Sequence, residues 1–189
     1  MHPALHTFLE GKISLSPEHE ELVSRCFKQK LTKRNEILVP HGATARYVYF
    51  VAKGCLRVFL TRTNGSESTR FLIFEGQMGT AFPSFILQQP SSACVQSLEP
   101  SELLLLSYED RHMLQKVVPG WETMDRISLE RAYVESIQRI ESFITMDAKA
   151  RYALLLQNNP EMILRLPSKI VADYLGISQE TLSRLKGKH

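Results

Sequence analysis

Cysteine is scarce in this sequence, and the three present are badly placed for pairing. Cys26, Cys55 and Cys94 are odd in number and far apart, a spacing that fits no disulfide framework and no zinc or iron–sulfur motif. They read as reduced thiols of a cytoplasmic protein. Also missing is any apolar run of about 18 residues, which excludes a membrane-spanning helix. The opening "MHPALHTFLEGKISL" has no basic flank leading into a sustained apolar stretch, so no secretory leader is expected. Lysine and arginine are absent between Arg70 and Arg111, leaving that segment nothing cationic to hold a phosphate. No internal repeat or low-complexity tract interrupts the chain. What remains, 43% hydrophobic and 23% charged over 189 residues, is a globular composition long enough for one large domain or a medium domain with a satellite.

The formal charge of +3 looks modest until it is located. Residues 165–189 carry Arg165, Lys169, Arg184, Lys186 and Lys188 against Asp173 and Glu180, which is five minus two. The preceding residues carry 18 basic and 18 acidic groups (23 less five, 20 less two) and balance to zero. The whole excess therefore sits at one end, where a polyanion would feel it.

Along the chain the apolar period changes twice. Leu5, Phe8 and Leu9, then Leu22, Val23, Cys26 and Phe27, have helical spacing, with Ser16-Pro17-Glu18 as a helix start. From Asn35 the stretches "EILVPHG", "YVYFVAKGCLRVFLTRTNGSESTRFLIFEG" and "SACVQSLEPSELLLLS" are short β-branched and aromatic runs parted by turn residues, with no helices expected between them. Asn64-Gly65 marks a hairpin in which both turn positions tolerate positive φ. Strands this closely spaced imply an antiparallel sandwich or roll. After Tyr108 the helical period returns in "YEDRHMLQKV", then from Pro119 to Ile144. There Ile127, Leu129, Tyr133, Val134, Ile137, Ile140 and Ile144 cover an arc of roughly 160°. An arc this wide suggests two neighbours, the chain's own β domain and the same helix of a second subunit. Glu130 and Glu141 interrupt it, so no strict heptad runs through, and a long core helix of a monomer is the competing reading.

Beyond Met146 a small helical module follows. Arg151–Gln157 forms an amphipathic helix stopped at Asn158-Asn159-Pro160, and two short helices flank Gly176. In "VADYLGISQETLSRLKGKH", Ala172 is small where two helices would cross, and Gly176 supplies positive φ four residues later. Val171, Leu175, Ile177, Leu182 and Leu185 fill the inner faces. Ser178 is a good N-cap, although no Glu or Gln follows three residues on to complete a capping box. This is the pattern of a helix-turn-helix. Its outward residues are Ser178, Gln179, Glu180, Ser183 and Arg184, of which Arg184 suits guanine, Glu180 cytosine and Gln179 adenine. Lys169, Thr181, Lys186 and Lys188 are placed for phosphates, which position without specifying sequence.

With a β-roll from "NEILVPHG", one long helix and then "LPSKIVADYLGISQETLSRLK", the chain resembles a Crp/Fnr-type transcription regulator along nearly its whole length. The resemblance implies a homodimer joined along the long helix and a cyclic-nucleotide-binding-type roll as sensor. It also implies an Arg-Glu pair and a later Arg that read DNA. Glu180 and Arg184 match two of these three, and Gln179 stands in place of the first Arg, implying more tolerance of adenine. The sensor departs further. Cyclic-AMP-binding members carry Gly-Glu-Leu and, soon after, Arg-Ser-Ala or Arg-Thr-Ala. Here "GQMG" (Gly76, Gln77, Met78, Gly79) and "SSA" (Ser91, Ser92, Ala93) stand instead, with Gln77 for the acid and Ser91 for the arginine. A phosphate without a cation loses charge-assisted bonds worth roughly 1.5–3 kcal/mol each, so cyclic AMP is not expected to bind in the family manner. The N-terminal cysteine cluster of the iron–sulfur branch is missing, and no Cys/His pair is placed as haem axial ligands. No cofactor is expected, with room for an unidentified small-molecule effector. Many members continue into a β-hairpin wing, whereas this sequence stops at Lys186-Gly187-Lys188-His189.

The expected architecture is α+β: an antiparallel β-roll of double-stranded β-helix or jelly-roll type over 1–118, a dimerisation helix over 119–145, and a helix-turn-helix domain over 146–189. The expected function is sequence-specific transcription regulation by a homodimer in the bacterial cytoplasm, with a near-palindromic DNA operator and RNA polymerase as partners and no membrane. The alternative is a cyclic-nucleotide-like regulatory module that does not bind DNA. A cupin-type metalloenzyme fails, because His41 in a Pro-His-Gly turn is the only histidine of the β region. With no Ser/His/Asp set or phosphate loop legible either, no enzymatic activity is expected.

Overall fold

The structure is a computed structural model and describes residues 1–187. Its contacts divide into two units. One comprises Met1–Leu60 and Arg70–Ile127, the other Thr61–Thr69 and the residues from Ser128 onward.

The first unit opens with α1 (Pro3–Leu9) and α2 (Pro17–Cys26). Ser16 caps α2 through the backbone of His19, with Pro17 in the first turn, as the Ser-Pro-Glu signal predicts. Strands β1 (Phe27–Thr32), β2 (Ile37–Val39), β3 (Tyr47–Lys53), β4 (Leu56–Thr61), β5 (Glu67–Ile73) and β6 (Met78–Gly79) follow. After them come α3 (Phe82–Leu87), β7 (Ala93–Ser97), β8 (Ser101–Ser107), α4 (Tyr108–Val117) and α5 (Trp121–Thr145), whose first residues belong here. Two four-stranded sheets form, ordered β1-β8-β3-β6 and β2-β7-β4-β5. Pairings are antiparallel, with Phe50 opposite Leu104 and Val58 opposite Val95.

The first sheet is buried on both faces. Tyr49, Val51 and Leu103 point into a core shared with Leu56, Val58 and Val95 of the second sheet. Phe50, Leu104 and Leu106 point the other way, against Leu5, Leu9, Val23, Leu114 and Trp121 of the helices. Two covered faces explain why β8 reads "LLLL" without polar alternation. Each of these side chains contributes roughly 1.5–3 kcal/mol by burial.

The structure corrects the sequence reading in detail. Phe27 extends the helical pattern of α2 but is the first residue of β1, opposite Leu106, because the chain turns into the sheet directly after Cys26. The helix α3 lies where only strands and turns were expected. Its "FPSFIL" is too short and apolar to show a period, and its form is set by Pro83 in the first turn and by Phe85 buried among the sheet residues. The hairpin after β4 is present, but positive φ is confined to Gly65; Asn64 instead accepts from the backbone and hydroxyl of Ser66 at 3.0 and 2.7 Å. The turn is closed by the Gly65 N–H on the Arg62 carbonyl at 2.9 Å.

The second unit contains the hairpin tip Thr61–Thr69, the rest of α5, and α6 (Ala148–Asn158), α7 (Pro160–Arg165), α8 (Ser168–Leu175) and α9 (Gln179–Lys186). Asp147 caps α6 by accepting from Ala150. The short α7 starts at the proline that ends α6, a residue well suited to a first helical turn. Tyr152, Leu155, Leu166, Ile170, Val171, Ala172, Leu175 and Leu182 are buried. Tyr133, Val134, Ile140 and Ile144 of α5 are not, at 67, 52, 53 and 77% exposed. Among the described residues no helix is long and apolar enough to cross a membrane.

Candidate nucleic-acid interface

Helices α8 and α9 meet at Gly176, which adopts φ +67 and sends its N–H to the carbonyls of Ala172 and Asp173. The glycine is required twice. An L-residue is strained in the left-handed region, and a Cβ here would lie 2.7 Å from Phe143 Cε1. Val171, Ala172, Leu175 and Leu182 are buried between the helices, whereas Ile177 and Leu185 are half-buried at the margin.

The face left outside is the one the sequence reading selected. Gln179, Glu180, Ser183 and Arg184 are exposed, at offsets that place them within about 140° of one another around α9. With Ser168 and Lys186 they line an open groove of about 590 Å³. Lys186 Nζ donates to Ser168 Oγ at 3.2 Å, bringing the start of α8 to the end of α9. Ser168 was not anticipated; the signal was the Pro167-Ser168 start of α8. Lys169 is exposed beside it, and Lys188 lies outside the described residues.

Local hydrogen bonds order the start of α9. Ser178 Oγ accepts the Thr181 N–H at 3.1 Å and lies 3.1 Å from Thr181 Oγ1. That hydroxyl in turn accepts from Arg184 Nη2 at 3.3 Å. Thr181 thus occupies the capping-box position with a hydroxyl and steadies the guanidinium, in addition to standing near the helix surface. Hydrogen bonds from the Ser178 hydroxyl and from Glu180's own N–H, with Arg184 nearby, hold the Glu180 carboxyl below the usual carboxylate range. At neutral pH the groove therefore presents an acceptor at Glu180, donors at Arg184 and Lys186, and an amide at Gln179. That is the equipment for base edges in a major groove.

In the roll, the cradle-type residues are engaged with their own surroundings. Gly76 has φ +74 and donates to the Val51 carbonyl at 2.9 Å. Gln77 Oε1 accepts from the Phe74 N–H at 2.9 Å, so its side chain closes its own turn. Met78 packs into both apolar clusters, and Gly79 sits against Ile73, where a Cβ would meet Cδ1 at 2.3 Å. Ser91 is buried and donates to the Ala93 carbonyl at 2.8 Å while accepting its N–H at 3.1 Å. Ser92 is exposed and Ala93 buried at the start of β7. Between these segments, Phe85 of α3 lies fully buried in the core. Arg111, the nearest buried cation in sequence, is committed to Asp125 at 2.6 Å.

Residues 29–116 match the cyclic nucleotide-binding domain family. The chain is 27% identical over 175 residues to the Cyclic AMP receptor protein of Thermus thermophilus, covering 90% of this chain and 81% of that one. Among solved structures, a CooA variant from Carboxydothermus hydrogenoformans aligns with TM-score 0.75 at 18% identity, over 99% of this chain and 84% of that one. The c-di-GMP responsive regulator CLP of Xanthomonas campestris aligns with TM-score 0.72 at 16% identity, over 92% and 91%. A roll of the cyclic-nucleotide-binding type, followed in the chain by a long helix and a helix-turn-helix, defines a class of DNA-binding transcription regulator. Within that class, this chain is similar over 90% of its length to a regulator of the Crp type.

Proposed function

We propose that the protein is a homodimeric, sequence-specific regulator of transcription, and that its roll does not take cyclic AMP in the manner of its named relative. The observation that carries the first part is the groove of α9, where Gln179, Glu180, Ser183 and Arg184 converge on a helix capped by Ser178 behind a left-handed Gly176. Ser178, Gln179, Glu180, Ser183 and Arg184 read bases; Lys169, Thr181, Lys186 and Lys188 meet phosphates. Residues 1–118 act as sensor roll, 119–145 as pairing helix and 146–189 as reading module. The exposed apolar stripe of α5 supports pairing with a second copy, since Tyr133, Val134, Ile140 and Ile144 are left in water on a face that no described residue covers. Two such reading helices enter successive major grooves roughly 34 Å apart, so the operator is a near-palindrome. RNA polymerase is the further partner, the cytoplasm the site of action, and no catalysis is involved.

The second part rests on Gln77 Oε1 and the Ser91 hydroxyl, which already bond within their own turns, and on the cation-free segment from Phe71 to Asp110.

Selection of bound DNA from a random pool tests the reading. It is expected to return an inverted repeat with half-sites one helical turn apart. Recovery of no enriched sequence at moderate salt refutes it in favour of a module that does not bind DNA.

A further inference from the structure

Thr69 lies on β5, an edge strand of the second sheet. An edge strand presents backbone N–H and C=O groups away from its neighbour, and these need partners. At Thr69 both are taken by side chains of the same unit. The Thr69 N–H donates to Asp173 Oδ2 of α8 at 2.6 Å, and its hydroxyl donates to the same oxygen. Its carbonyl accepts from Arg139 Nη2 of α5 at 3.0 Å, and Arg139 Nη2 donates also to the Tyr174 carbonyl of α8 at 2.7 Å. The guanidinium stacks on Tyr174 at 4.3 Å and lies 5.0 Å from the Phe143 ring. Thr69 is only 2% exposed.

These contacts straddle a joint between two helices. Helix α5 ends at Thr145 and α6 begins at Ala148, so two residues, Met146 and Asp147, connect the long helix to the reading module. Arg139 and Thr69 lie before that joint, and Asp173 and Tyr174 after it. Arg151 adds a bond from Nε to the Leu175 carbonyl at 3.1 Å and another from Nη1 to the Met146 carbonyl at 2.6 Å. The last carbonyls of α8, which a helix leaves without internal partners, are thereby tied down. Helix α9 packs on α8, with Leu182 fully buried, and inherits its orientation.

We propose that Asp173 and Arg139 are positioning residues: with Thr69 they form a clamp across the Met146–Asp147 joint that fixes the angle of the reading helix, and so the spacing of half-sites the dimer accepts. The proposal rests on the DNA-binding reading above. Base contacts in two grooves require both helices in register, whereas sequence-independent phosphate contacts do not. Opening the clamp reduces the fraction of molecules in the binding-competent geometry and raises the apparent Kd by that fraction.

The test uses the full chain and the selected operator, with Asp173→Asn, Thr69→Val and Thr69→Ser. Asn and Val keep shape while removing the charge or the hydroxyl; Ser retains the hydroxyl. Asp173→Asn and Thr69→Val are expected to weaken operator binding about tenfold and to lose most of the discrimination against an operator with one extra central base pair. Binding to random-sequence DNA is expected to stay within twofold, and Thr69→Ser to behave as the parent. Unchanged spacing discrimination in both variants overturns the proposal, as does an equal loss on operator and random DNA, which would mark a merely structural role. A parent protein that binds no DNA refutes the functional reading instead. The clamp is then read by hydrogen exchange without DNA: residues 61–69 exchange faster in Asp173→Asn if it exists, and at the parent's rate if it does not.

Discussion

Replacing Gly176 by alanine probes the geometry on which the reading helix depends, because two separable costs coincide there. Holding an L-residue at φ +67 costs about 1–2 kcal/mol. The new methyl would also lie 2.7 Å from Phe143 Cε1, and overpacking of this kind costs about 1–3 kcal/mol. Loss of glycine's freedom in the unfolded chain returns about 0.4–1 kcal/mol. The net expectation is a destabilisation of about 2–4 kcal/mol. At a urea dependence near the middle of the usual range, about 2 kcal/mol/M, this moves the midpoint down by roughly 1–2 M. Far-UV circular dichroism is the assay, because the only tryptophan, Trp121, lies in the first unit and its fluorescence reports on that unit. The two costs are told apart by repeating the change in a Phe143→Ala background. There the clash is gone and only the backbone strain remains, so Gly176→Ala should cost about 1–3 kcal/mol less than in the parent. An unchanged midpoint in the single variant, or an identical cost in both backgrounds, refutes the reasoning.

Arg184→Ala should weaken operator binding by about 1–3 kcal/mol and relax preference at one base position, measured by competition with singly substituted operators. Isothermal titration with cyclic AMP should show no low-micromolar binding, and saturable binding in that range would overturn the account of Gln77 and Ser91. Arg111→Ala should destabilise the first unit by about 3–5 kcal/mol, seen by Trp121 fluorescence, because it strands the largely buried Asp125, which also accepts from Gln115 at 2.6 Å. Ile140→Glu should shift the species seen in sedimentation equilibrium from dimer to monomer while the isolated fold persists, since its side chain is exposed within one chain.

The helix-turn-helix was legible in the sequence because it is local. Ala172, Gly176 and Ser178 act within a few residues of one another, and the face opposite Leu182 follows from helical period alone. The roll was legible as a class, through strands bounded by turn residues, but not in its internal arrangement. Helix α3 is the instructive failure: "FPSFIL" is too short to show a period, and Phe85 is buried by partners far away in sequence. The contacts around Thr69 were invisible for the same reason. Nothing near "SESTR" announces that its backbone meets Asp173 and Arg139. Lone charges on a long helix give no hint of their partners; the hairpin had to be placed first.

The same contrast bears on what could control such a protein. To admit an anionic ligand at Ser91, the roll would have to break the Ser91–Ala93 bonds and desolvate the charge with no lysine or arginine between Arg70 and Arg111 to receive it. Each missing charge-assisted bond forgoes roughly 1.5–3 kcal/mol, so losing two lowers affinity by two to four powers of ten. A neutral effector faces no such deficit, but Phe85, Met78 and Ile73 already crowd the interior that it would enter. Control through β5 requires no interior site at all. The strand carries both Thr69, bonded to Asp173, and Ile73, a buried core residue. On this reasoning, inputs to the roll should register first as faster hydrogen exchange at residues 61–69, ahead of any change near Ser91. Exchange that changes at Ser91 while the hairpin stays unaltered would place control in the ligand cradle after all.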